Sequence, residues 1–296
     1  MSEPITIAET LRRGALRLKE SGVPNDLLDA QTLLAFALER DRTWLIVNYR
    51  EPLDPEQEQL FRALIERRAL GEPLQYITGQ QEFFGLNFEV NRAVLIPRPE
   101  SELIVEETIR LVGTSDWNEP LIVDVGTGSG CLAIAIAREL PAARVVAIDI
   151  SDAALEVAKR NAALNGMERR IEFVVGDLLG PFQDQACVIV SNPPYVTREE
   201  MDDLQREVRD WEPRSALTDE ADGLSLHRRL IREAVDHLRW DGYLICEIGY
   251  RHAEAARDLF VAPDSSPWEP PRFLTDLQGI ERTLVARLRP PSPDRG

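Results

Sequence analysis

The chain has 296 residues, of which 44% are hydrophobic and 29% are charged, so it is long enough for two domains and a substantial core. Its 51 acidic residues outnumber its 34 Lys and Arg residues, which gives a formal net charge of −17. This balance argues against duplex DNA as the main partner, because neutralising phosphates needs cationic side chains. An alternative interpretation of the acid excess is adaptation to high salt.

The sequence shows no feature of a membrane protein or of a secreted one. No apolar run is long enough for a membrane span, and the amino terminus lacks a basic start followed by an apolar stretch. The three cysteines, Cys131, Cys187 and Cys246, lie far apart and form no CxxC pair. This pattern predicts buried thiols rather than a zinc site or a disulfide framework. We therefore expect a cytoplasmic protein with no metal site and no membrane contact.

Residues 5–70 show the periodicity of helices. Apolar residues recur at helical spacing in two successive stretches. Further on, Asp54-Pro55-Glu56 supplies the cap, the first-turn proline and the early acid of another helix. The pattern predicts a bundle of three or four short helices, and we assign residues 1–75 to it as a first domain.

From Gly71 the composition changes to glycines, aromatic residues and alternating apolar positions. Apolar residues alternate over 88–96, as they do in two paired strands. The alternation predicts a hairpin with its turn near Asn91 and Arg92. Residues 76–98 are expected to link the bundle to the rest of the chain.

After residue 99, strand patterns alternate with helix patterns. The strand candidates are 121–126, 144–150, 171–175, 186–191, 242–249 and 281–288. Such alternation is typical of an α/β fold with a mostly parallel sheet and helices on both faces. The last candidate has no helix after it and is compatible with an antiparallel position. We assign residues 99–289 to a second domain and expect the tail, 290–296, to be disordered.

The first predicted strand of this domain runs into a glycine-rich turn, residues 126–130, before a helix begins. Glycines at such a turn let a ligand approach the backbone, and free N–H groups at the helix start can meet the ligand. The dinucleotide fingerprint would place its third, packing glycine at position 131, which is Cys131. That glycine is therefore expected to be missing.

Two further predicted strands are followed by acids at the same edge of the sheet. Asp149 lies where a carboxylate can hold a ribose diol, and Asp177 where one can bind an adenine amino group. Turn and acids together resemble the Rossmann-like methyltransferases that use S-adenosyl-L-methionine. That resemblance implies this cofactor, S-adenosyl-L-homocysteine as product, and a seven-stranded sheet. The candidate cofactor residues are Gly126, Thr127, Gly128, Ser129, Gly130, Asp149, Asp177, Leu178 and Asn192.

The strand candidate 186–191 ends in the rigid corner Asn192-Pro193-Pro194-Tyr195. An amide nitrogen, like the exocyclic amine of adenine, is a poor nucleophile because its lone pair is delocalised. The side-chain carbonyl of Asn192 and the main-chain carbonyl of Pro193 can accept its N–H bonds, and Tyr195 offers a flat face for stacking. The prolines fix these acceptors in advance. The corner predicts N-methylation of a planar group, with all four residues catalytic and substrate-binding, and leaves amide and base as alternatives.

Residues 71–107 resemble the segment before the glycine turn in the PrmC/HemK family, the N5-glutamine methyltransferases of peptide chain release factors. The chain reads Gln-Tyr-Ile at 75–77 and Leu-Ile-Pro-Arg-Pro-Glu-Ser-Glu at 95–102. Ser101 replaces the usual threonine and keeps its hydroxyl group. Leu178 stands where some members carry tryptophan, so apolar packing against adenine is expected there. The resemblance runs from about residue 25 to residue 288.

The resemblance implies that the substrate is the glutamine of a Gly-Gly-Gln motif in release factors, which are then the partner proteins. It also implies that the helical bundle helps to bind the factor. Pro97-Arg98-Pro99 would border the active site, with Arg98 in the substrate wall and paired with Glu100 or Asp124. Two other hypotheses stay open: a nucleic-acid N-methyltransferase acting on an adenine or guanine amino group, and a cofactor-binding protein without turnover.

Overall fold

The structure of the protein is a computed structural model in which residues 5–260 and 267–290 are described. The tail expected to be disordered, 290–296, lies outside the described residues from position 291 onwards. Among the described residues, every helix is too short or too polar to span a lipid bilayer.

The chain forms two compact units, one made of residues 1–80 with 205–211 and one of residues 81–204 with 212–296. The α-helices are α1 Ile7–Glu20, α2 Asp26–Ala37, α3 Arg42–Val47, α4 Pro55–Ala69, α5 Leu74–Thr78, α6 Glu102–Gly113, α7 Cys131–Glu139, α8 Asp152–Leu164, α9 Arg206–Trp211, α10 Arg214–Leu217, α11 Ser225–His237 and α12 Ala253–Asp258. The strands are β1 Gln80–Phe83, β2 Leu86–Glu89, β3 Leu121–Val125, β4 Arg144–Asp149, β5 Ile171–Val175, β6 Ala186–Ser191, β7 Leu238–Glu247, β8 Arg272–Thr275 and β9 Glu281–Arg287.

The first unit is helical, and four of its helices, α1 to α4, confirm the predicted bundle. Local chemistry sets where they begin: the Thr6 hydroxyl accepts the N–H of Glu9 at the start of α1, and Asp54 accepts the N–H of Glu56 beside the first-turn proline of α4. The helices bury one apolar cluster that includes Ile7, Leu18, Leu33, Leu34, Phe61, Leu64 and Ile65. Burial of these side chains is the main stabilising contribution in the bundle.

A buried cation also lies in this unit. Arg68 on α4 is 6% exposed, and its Nε lies 2.7 Å from Asp29 Oδ2, a carboxylate that is itself 4% exposed. Its Nη1 lies 2.5 Å from Glu207 Oε2 and donates to the main-chain oxygen of Glu72 at 3.0 Å. Burial raises the pKa of Asp29, and the hydrogen bond from Arg68 opposes that rise. The bundle therefore depends on the pairing of charges that water does not reach.

The second unit is built on the predicted seven-stranded sheet. The strand order is β5-β4-β3-β6-β7-β9-β8. Neighbours from β5 to β7 are parallel, whereas β9 is antiparallel to both β7 and β8. The mostly parallel sheet and the antiparallel position compatible with residues 281–288 are thus confirmed. Strand β8 has no counterpart among the predicted strands.

The register of the parallel strands brings their carboxyl ends to one edge. Val125 at the end of β3 pairs with Ile148 of β4 on one side and with Ser191 of β6 on the other. Ser191 in turn pairs with Cys246 of β7. The residues that follow each of these positions therefore emerge side by side, which is where open α/β sheets bind ligands.

Helices cover both faces of the sheet. Every residue of β3 and β6 is buried, as expected for strands between two helical layers. Ile122 packs in the cluster on one face with residues of α6 and α7, and Val123 packs in the cluster on the other face with residues of α11 and α12. The hydrophobic runs in the sequence follow from this double burial.

A hairpin of β1 and β2 is present, but its predicted turn position is wrong. The turn lies at Phe84 and Gly85, which both have positive φ, 52° and 70°, as in the two-residue turns that match strand twist. Residues 91–98 contain no strand. The alternation over 88–96 reflects burial of Val90, Val94 and Ile96 without strand pairing.

We predict that Arg68→Leu destabilises the protein by about 3–5 kcal/mol, because it leaves the Asp29 carboxylate buried without its cation. The matched control is Arg62→Leu on the same helix, which removes an exposed pair with Glu58 at 2.6 Å and is expected to cost about 1 kcal/mol or less. Urea unfolding followed by circular dichroism measures both. Equal midpoints for the two variants would contradict the role assigned to Arg68.

Candidate active site

The carboxyl edge of the sheet opens on a cavity of about 750 Å³. Ten of the predicted site residues line it: Arg98, Gly126, Thr127, Gly128, Ser129, Asp149, Asp177, Leu178, Asn192 and Pro194. The other three, Gly130, Pro193 and Tyr195, do not. The structure thus brings together residues that lie more than 90 positions apart in the sequence.

The glycine turn after β3 leaves its cavity side open. Gly126 and Gly128 have φ values of +73° and +56°, and a Cβ added at either would meet no atom within 4 Å. Both positions favour glycine because of the backbone conformation, not because of crowding. A side chain here would project into open space, so the turn leaves room for a ligand to lie against the backbone.

Gly130 has a different role: position 131 is a cysteine, as noted from the sequence, and Gly130 takes the close-packing position instead. A Cβ at Gly130 would lie 3.1 Å from Cβ of Ala158 on α8 and 3.0 Å from Cδ1 of Ile134. The residue therefore permits the close approach of α7 and α8. The packing glycine of this turn is at position 130, one residue earlier than the dinucleotide spacing places it.

The N–H groups in the first part of the turn, before the helix start where free donors were predicted, are already paired. Those of Gly126 and Thr127 donate to the main-chain oxygen of Ile148 at 2.8 and 3.0 Å. That of Gly128 donates to Asp149 Oδ2 at 2.8 Å. These three groups are not free to meet a ligand, so the turn offers shape and open space more than hydrogen-bond donors.

A buried carboxyl group holds the turn from beneath. Asp124 Oδ2 accepts the Thr127 hydroxyl at 2.6 Å and the N–H of Ala133 at 3.2 Å. The residue is fully buried, and burial raises its pKa to about 7. Asp124 therefore fixes the turn to the first residues of α7.

Asp149, at the end of β4, presents a carboxylate at the cavity wall. Its Oδ2 accepts the N–H of Gly128 and its Oδ1 that of Ser151 at 2.9 Å. Burial raises the pKa of Asp149, and its backbone hydrogen bonds oppose that rise. Each carboxylate oxygen keeps a further lone pair, so the group can still accept from a pair of hydroxyls.

Two apolar side chains line the cavity beside this carboxylate. Leu178 was predicted there; Ile150, which is 68% exposed, was not. An isoleucine directly after the acid of a strand end is the signal that sequence reasoning overlooked. Asp177 also lines the cavity, with its Oδ2 2.9 Å from Nη2 of Arg229. The Asp149 carboxylate, with Ile150 and Leu178 in the same cavity wall, suits a nucleoside. The ribose of a nucleoside carries a diol, and its planar base has apolar faces.

A chain of hydrogen bonds orients the amide of Asn192. Its Nδ2 donates to the Ser101 hydroxyl at 2.9 Å, and that hydroxyl donates to Glu247 Oε2 at 2.5 Å. Because the nitrogen is engaged by Ser101, the amide oxygen is left as the acceptor of a group that lines the cavity. This supports the acceptor role predicted for Asn192 in the sequence.

Tyr195 is positioned by the same carboxylate. Its hydroxyl donates to Glu247 Oε1 at 3.0 Å. The negative charge of Glu247 and burial raise the pKa of Tyr195 well above its usual value. Tyr195 is not among the residues that line the cavity, and the stacking role predicted for its ring stays a prediction.

Glu247 was not among the site residues predicted from the sequence. It ends β7, is 1% exposed, and its main-chain oxygen lies 2.8 Å from Nε2 of His227. Burial raises the pKa of its carboxyl group, while the bonds from Ser101 and Tyr195 lower it. A carboxylate inside the apolar run Tyr-Leu-Ile-Cys-Glu-Ile, next to the end of a strand, was the available signal.

Arg98 lines the cavity, but the predicted pairing with Glu100 or Asp124 is wrong. Its Nη2 lies 2.5 Å from Oε1 of the buried Glu212, whose Oε2 accepts the N–H of Ile96 at 3.1 Å. Glu212 thus holds the chain at Ile96 and at Arg98, on both sides of Pro97. The guanidinium is held at the cavity wall by a partner 114 residues away.

The chain matches two known families in sequence. Residues 9–79 match the PrmC N-terminal domain, and residues 110–208 match the methyltransferase small domain. Among solved structures, a methyltransferase from Pyrococcus furiosus superposes with a TM-score of 0.51 at 18% identity, over 77% of this chain and 97% of that one. This structural likeness supports the fold.

Curated relatives cover nearly the whole chain. A release factor glutamine methyltransferase of Geobacter sulfurreducens is 43% identical over 244 residues, 82% of this chain and 84% of the relative. One of Koribacter versatilis is 38% identical over 286 residues, 96% of this chain and 99% of the relative. The resemblance seen in residues 71–107 is thereby confirmed: the chain belongs to the family of release factor glutamine methyltransferases.

Proposed function

We propose that the protein transfers the methyl group of S-adenosyl-L-methionine to the side-chain amide nitrogen, N5, of the glutamine in the Gly-Gly-Gln motif of peptide chain release factors. One observation carries the proposal: on a chain of this family, the amide of Asn192 is held by Ser101 so that its oxygen is the acceptor at the cavity wall. We propose the cytoplasm as the compartment, since translation termination takes place there.

The residues of the cavity fit the cofactor. The open turn at Gly126 and Gly128 would accommodate the methionine part, Asp149 would accept from the ribose hydroxyls, and Ile150 and Leu178 would flank the adenine. The carboxylate of Asp177, which also lines the cavity, would accept from the adenine amino group. When bound, the cofactor supplies an electrophilic methyl group on a sulfonium ion. The lining residues would bind the cofactor and orient it.

The substrate amide needs orientation more than a strong base. Its nitrogen lone pair is delocalised into the carbonyl, so the planar ground state reacts poorly. We assign the Asn192 side-chain oxygen, at the cavity wall, as the acceptor of one of its N–H bonds. The main-chain oxygen of Pro193, which follows Asn192 but is outside the cavity lining, is the proposed acceptor of the other. Because the two prolines hold these acceptors in place, little reorganisation accompanies the reaction. As the nitrogen gains the methyl group, the carbon–sulfur bond to that group would break and S-adenosyl-L-homocysteine would be left. The nitrogen would then be cationic and would release its proton to solvent.

Substrate binding beyond the amide is proposed to use Arg98 and the first unit. Arg98 is held by Glu212 at the cavity wall, and its guanidinium keeps donors for main-chain carbonyls of a peptide. The helical bundle, matched by the PrmC N-terminal domain family, is proposed to bind the release factor. Residues 1–75 and 99–289 remain our proposed recognition and catalytic domains, with 76–98 as the linker.

The alternative substrate class is a nucleic acid, because an adenine amino group also presents two N–H bonds to the Asn192 corner. The net charge of −17 counts against a polyanionic partner. We predict that labelled methyl groups from the cofactor appear on a release factor and not on DNA or RNA. Mass mapping should place the label on the glutamine side chain, and label on nucleic acid alone would refute the proposed function.

We predict that Asn192→Ala lowers the single-turnover methyl-transfer rate by about 10²- to 10³-fold, the usual effect of removing one preorganised hydrogen-bonding group. Cofactor affinity should stay close to that of the wild type, since Asp149 and the glycine turn are unchanged. Single-turnover kinetics and calorimetry measure the two quantities. A wild-type rate in the variant would rule out the acceptor role.

We predict that Asp149→Ala weakens cofactor binding by about tenfold or more, because charge-assisted hydrogen bonds to the ribose are lost. The matched control is Asp152→Ala, which removes an exposed carboxylate three positions later in the first turn of α8. Isothermal titration calorimetry with the cofactor compares both variants. Equal dissociation constants for the two would remove the ribose assignment.

A further inference from the structure

A buried charge stands behind the acceptor corner, on residues that no motif singles out as catalytic. Glu247 Oε2 accepts the Ser101 hydroxyl at 2.5 Å, and Ser101 Oγ accepts Nδ2 of Asn192 at 2.9 Å. On the other side, Glu247 Oε1 accepts the Tyr195 hydroxyl at 3.0 Å. All three bonds are thus oriented toward one carboxylate.

The direction of the hydrogen bonds from Asn192 through Ser101 to Glu247 depends on the ionisation of Glu247. An ionised carboxylate only accepts hydrogen bonds, so the Ser101 hydroxyl has to donate to it and keeps its lone pairs for Asn192. The Asn192 nitrogen then faces Ser101, and the oxygen faces the cavity. A neutral Glu247 can donate, which frees Ser101 to donate to Asn192 instead and lets the amide turn round.

A reversed amide would be the wrong group for the reaction. It would present N–H donors to the substrate amide, whose own N–H groups need acceptors. Reversal would therefore oppose the substrate orientation that methyl transfer requires. The ionised carboxylate also places negative charge behind the corner where the substrate nitrogen becomes cationic, which favours the transition state.

We propose that Glu247 and Ser101 are positioning residues that set the hydrogen-bond polarity of Asn192, so that methyl transfer requires an ionised Glu247. This inference rests on the proposed function for its kinetic readout, but not for its structural one. The titratable group that contacts the Glu247 carboxylate is Tyr195, beside the neutral hydroxyl of Ser101. Glu100, Arg282 and the Cys131 thiol act on it through space, and His227 contacts its main-chain oxygen.

The pH dependence follows from the sign of the shift. Burial raises the pKa of Glu247, so the carboxylate takes up its proton at a higher pH than an ordinary glutamate does. The ordered, ionised form exists above that raised pKa and is lost as the pH falls through it. At saturating cofactor, the single-turnover rate should therefore rise with pH along an acid limb, and Glu247→Gln should remove the part that this group contributes.

The test compares four variants by single-turnover kinetics on a release factor. Glu247→Gln should lower the rate by about 10- to 100-fold, because a misplacement of a reacting group by about 1 Å can cost about 10²-fold. Ser101→Ala should lower it similarly, while Ser101→Thr, which keeps the hydroxyl, should restore most of the rate. Glu100→Gln removes a nearby charge outside the hydrogen-bond chain and should stay within about twofold of the wild type.

A second readout needs no methyl transfer. In ¹⁵N–¹H spectra of the full-length protein, the side-chain amide protons of Asn192 should exchange with solvent more slowly in the wild type and in Ser101→Thr. They should exchange about tenfold faster or more in Ser101→Ala and in Glu247→Gln, because a hydrogen bond to Ser101 is lost or reversed. Since Ser101→Ala leaves Glu247 and Tyr195 in place, the comparison holds even where Glu247→Gln fails to fold.

The outcomes distinguish a failure of the positioning role from a failure of the proposed function. Equal rates and equal exchange in Ser101→Ala and Ser101→Thr would overturn the positioning role, as would an unchanged pH profile in Glu247→Gln. A wild-type protein that leaves the release factor unlabelled would refute the proposed function, while the exchange rates would still decide whether Glu247 orients Asn192.

Discussion

The parallel register of four strands is the constraint on which the site depends. Val125, Ile148, Ser191 and Cys246 lie in one row across β3, β4, β6 and β7. The residue after each of them therefore comes out at the same edge: a glycine, an aspartate, an asparagine and a glutamate. A shift of one strand by one residue would send its polar group to the helical layer, because side chains alternate across a sheet. The same pairing that buries the core thus assembles the site.

Acids buried at this edge are costly in free energy, and each is compensated in a different way. At Asp124 a threonine hydroxyl and a backbone N–H both donate to Oδ2, while the buried Oδ1 has no partner among the described residues; at Asp149 two backbone N–H groups donate to the carboxylate. Glu247 has two hydroxyl donors, from Ser101 and Tyr195. Burial raises the pKa of all three, and such a concentration of shifted carboxyl groups is characteristic of functional sites rather than of cores selected for stability. Each carboxylate fixes a neighbouring element: the turn, the start of α8 or the acceptor corner.

Much of the site could be predicted from local sequence patterns, but the contacts between residues far apart in the sequence could not. The glycine turn, Asp149 and the Asn192 corner follow their strands directly, so their place at the sheet edge follows from the strand pattern. Glu247 and Ser101 are 146 residues apart in the sequence, and Arg98 and Glu212 are 114 apart. No spacing pattern in the sequence indicates that either pair is in contact. The hairpin turn was misplaced because apolar alternation reports burial, which residues 91–98 share without forming a strand. The packing role of Gly130 depends on Ala158, which only the fold brings near.

The hydrogen bonds also decide how the site handles its proton. Tyr195 is the titratable residue of the corner, but its hydroxyl already donates to Glu247 and its pKa is raised by that charge and by burial. The phenol therefore stays protonated and cannot act as the base. Asn192 and Pro193 contribute carbonyl oxygens, which accept hydrogen bonds without removing a proton. A corner with acceptors but no competent base suits a nucleophile that loses its proton only after it has gained the methyl group, as an amide nitrogen does once its lone pair is used. Under the proposed function, the corner would orient the amide before transfer, and the nitrogen would lose its proton afterwards.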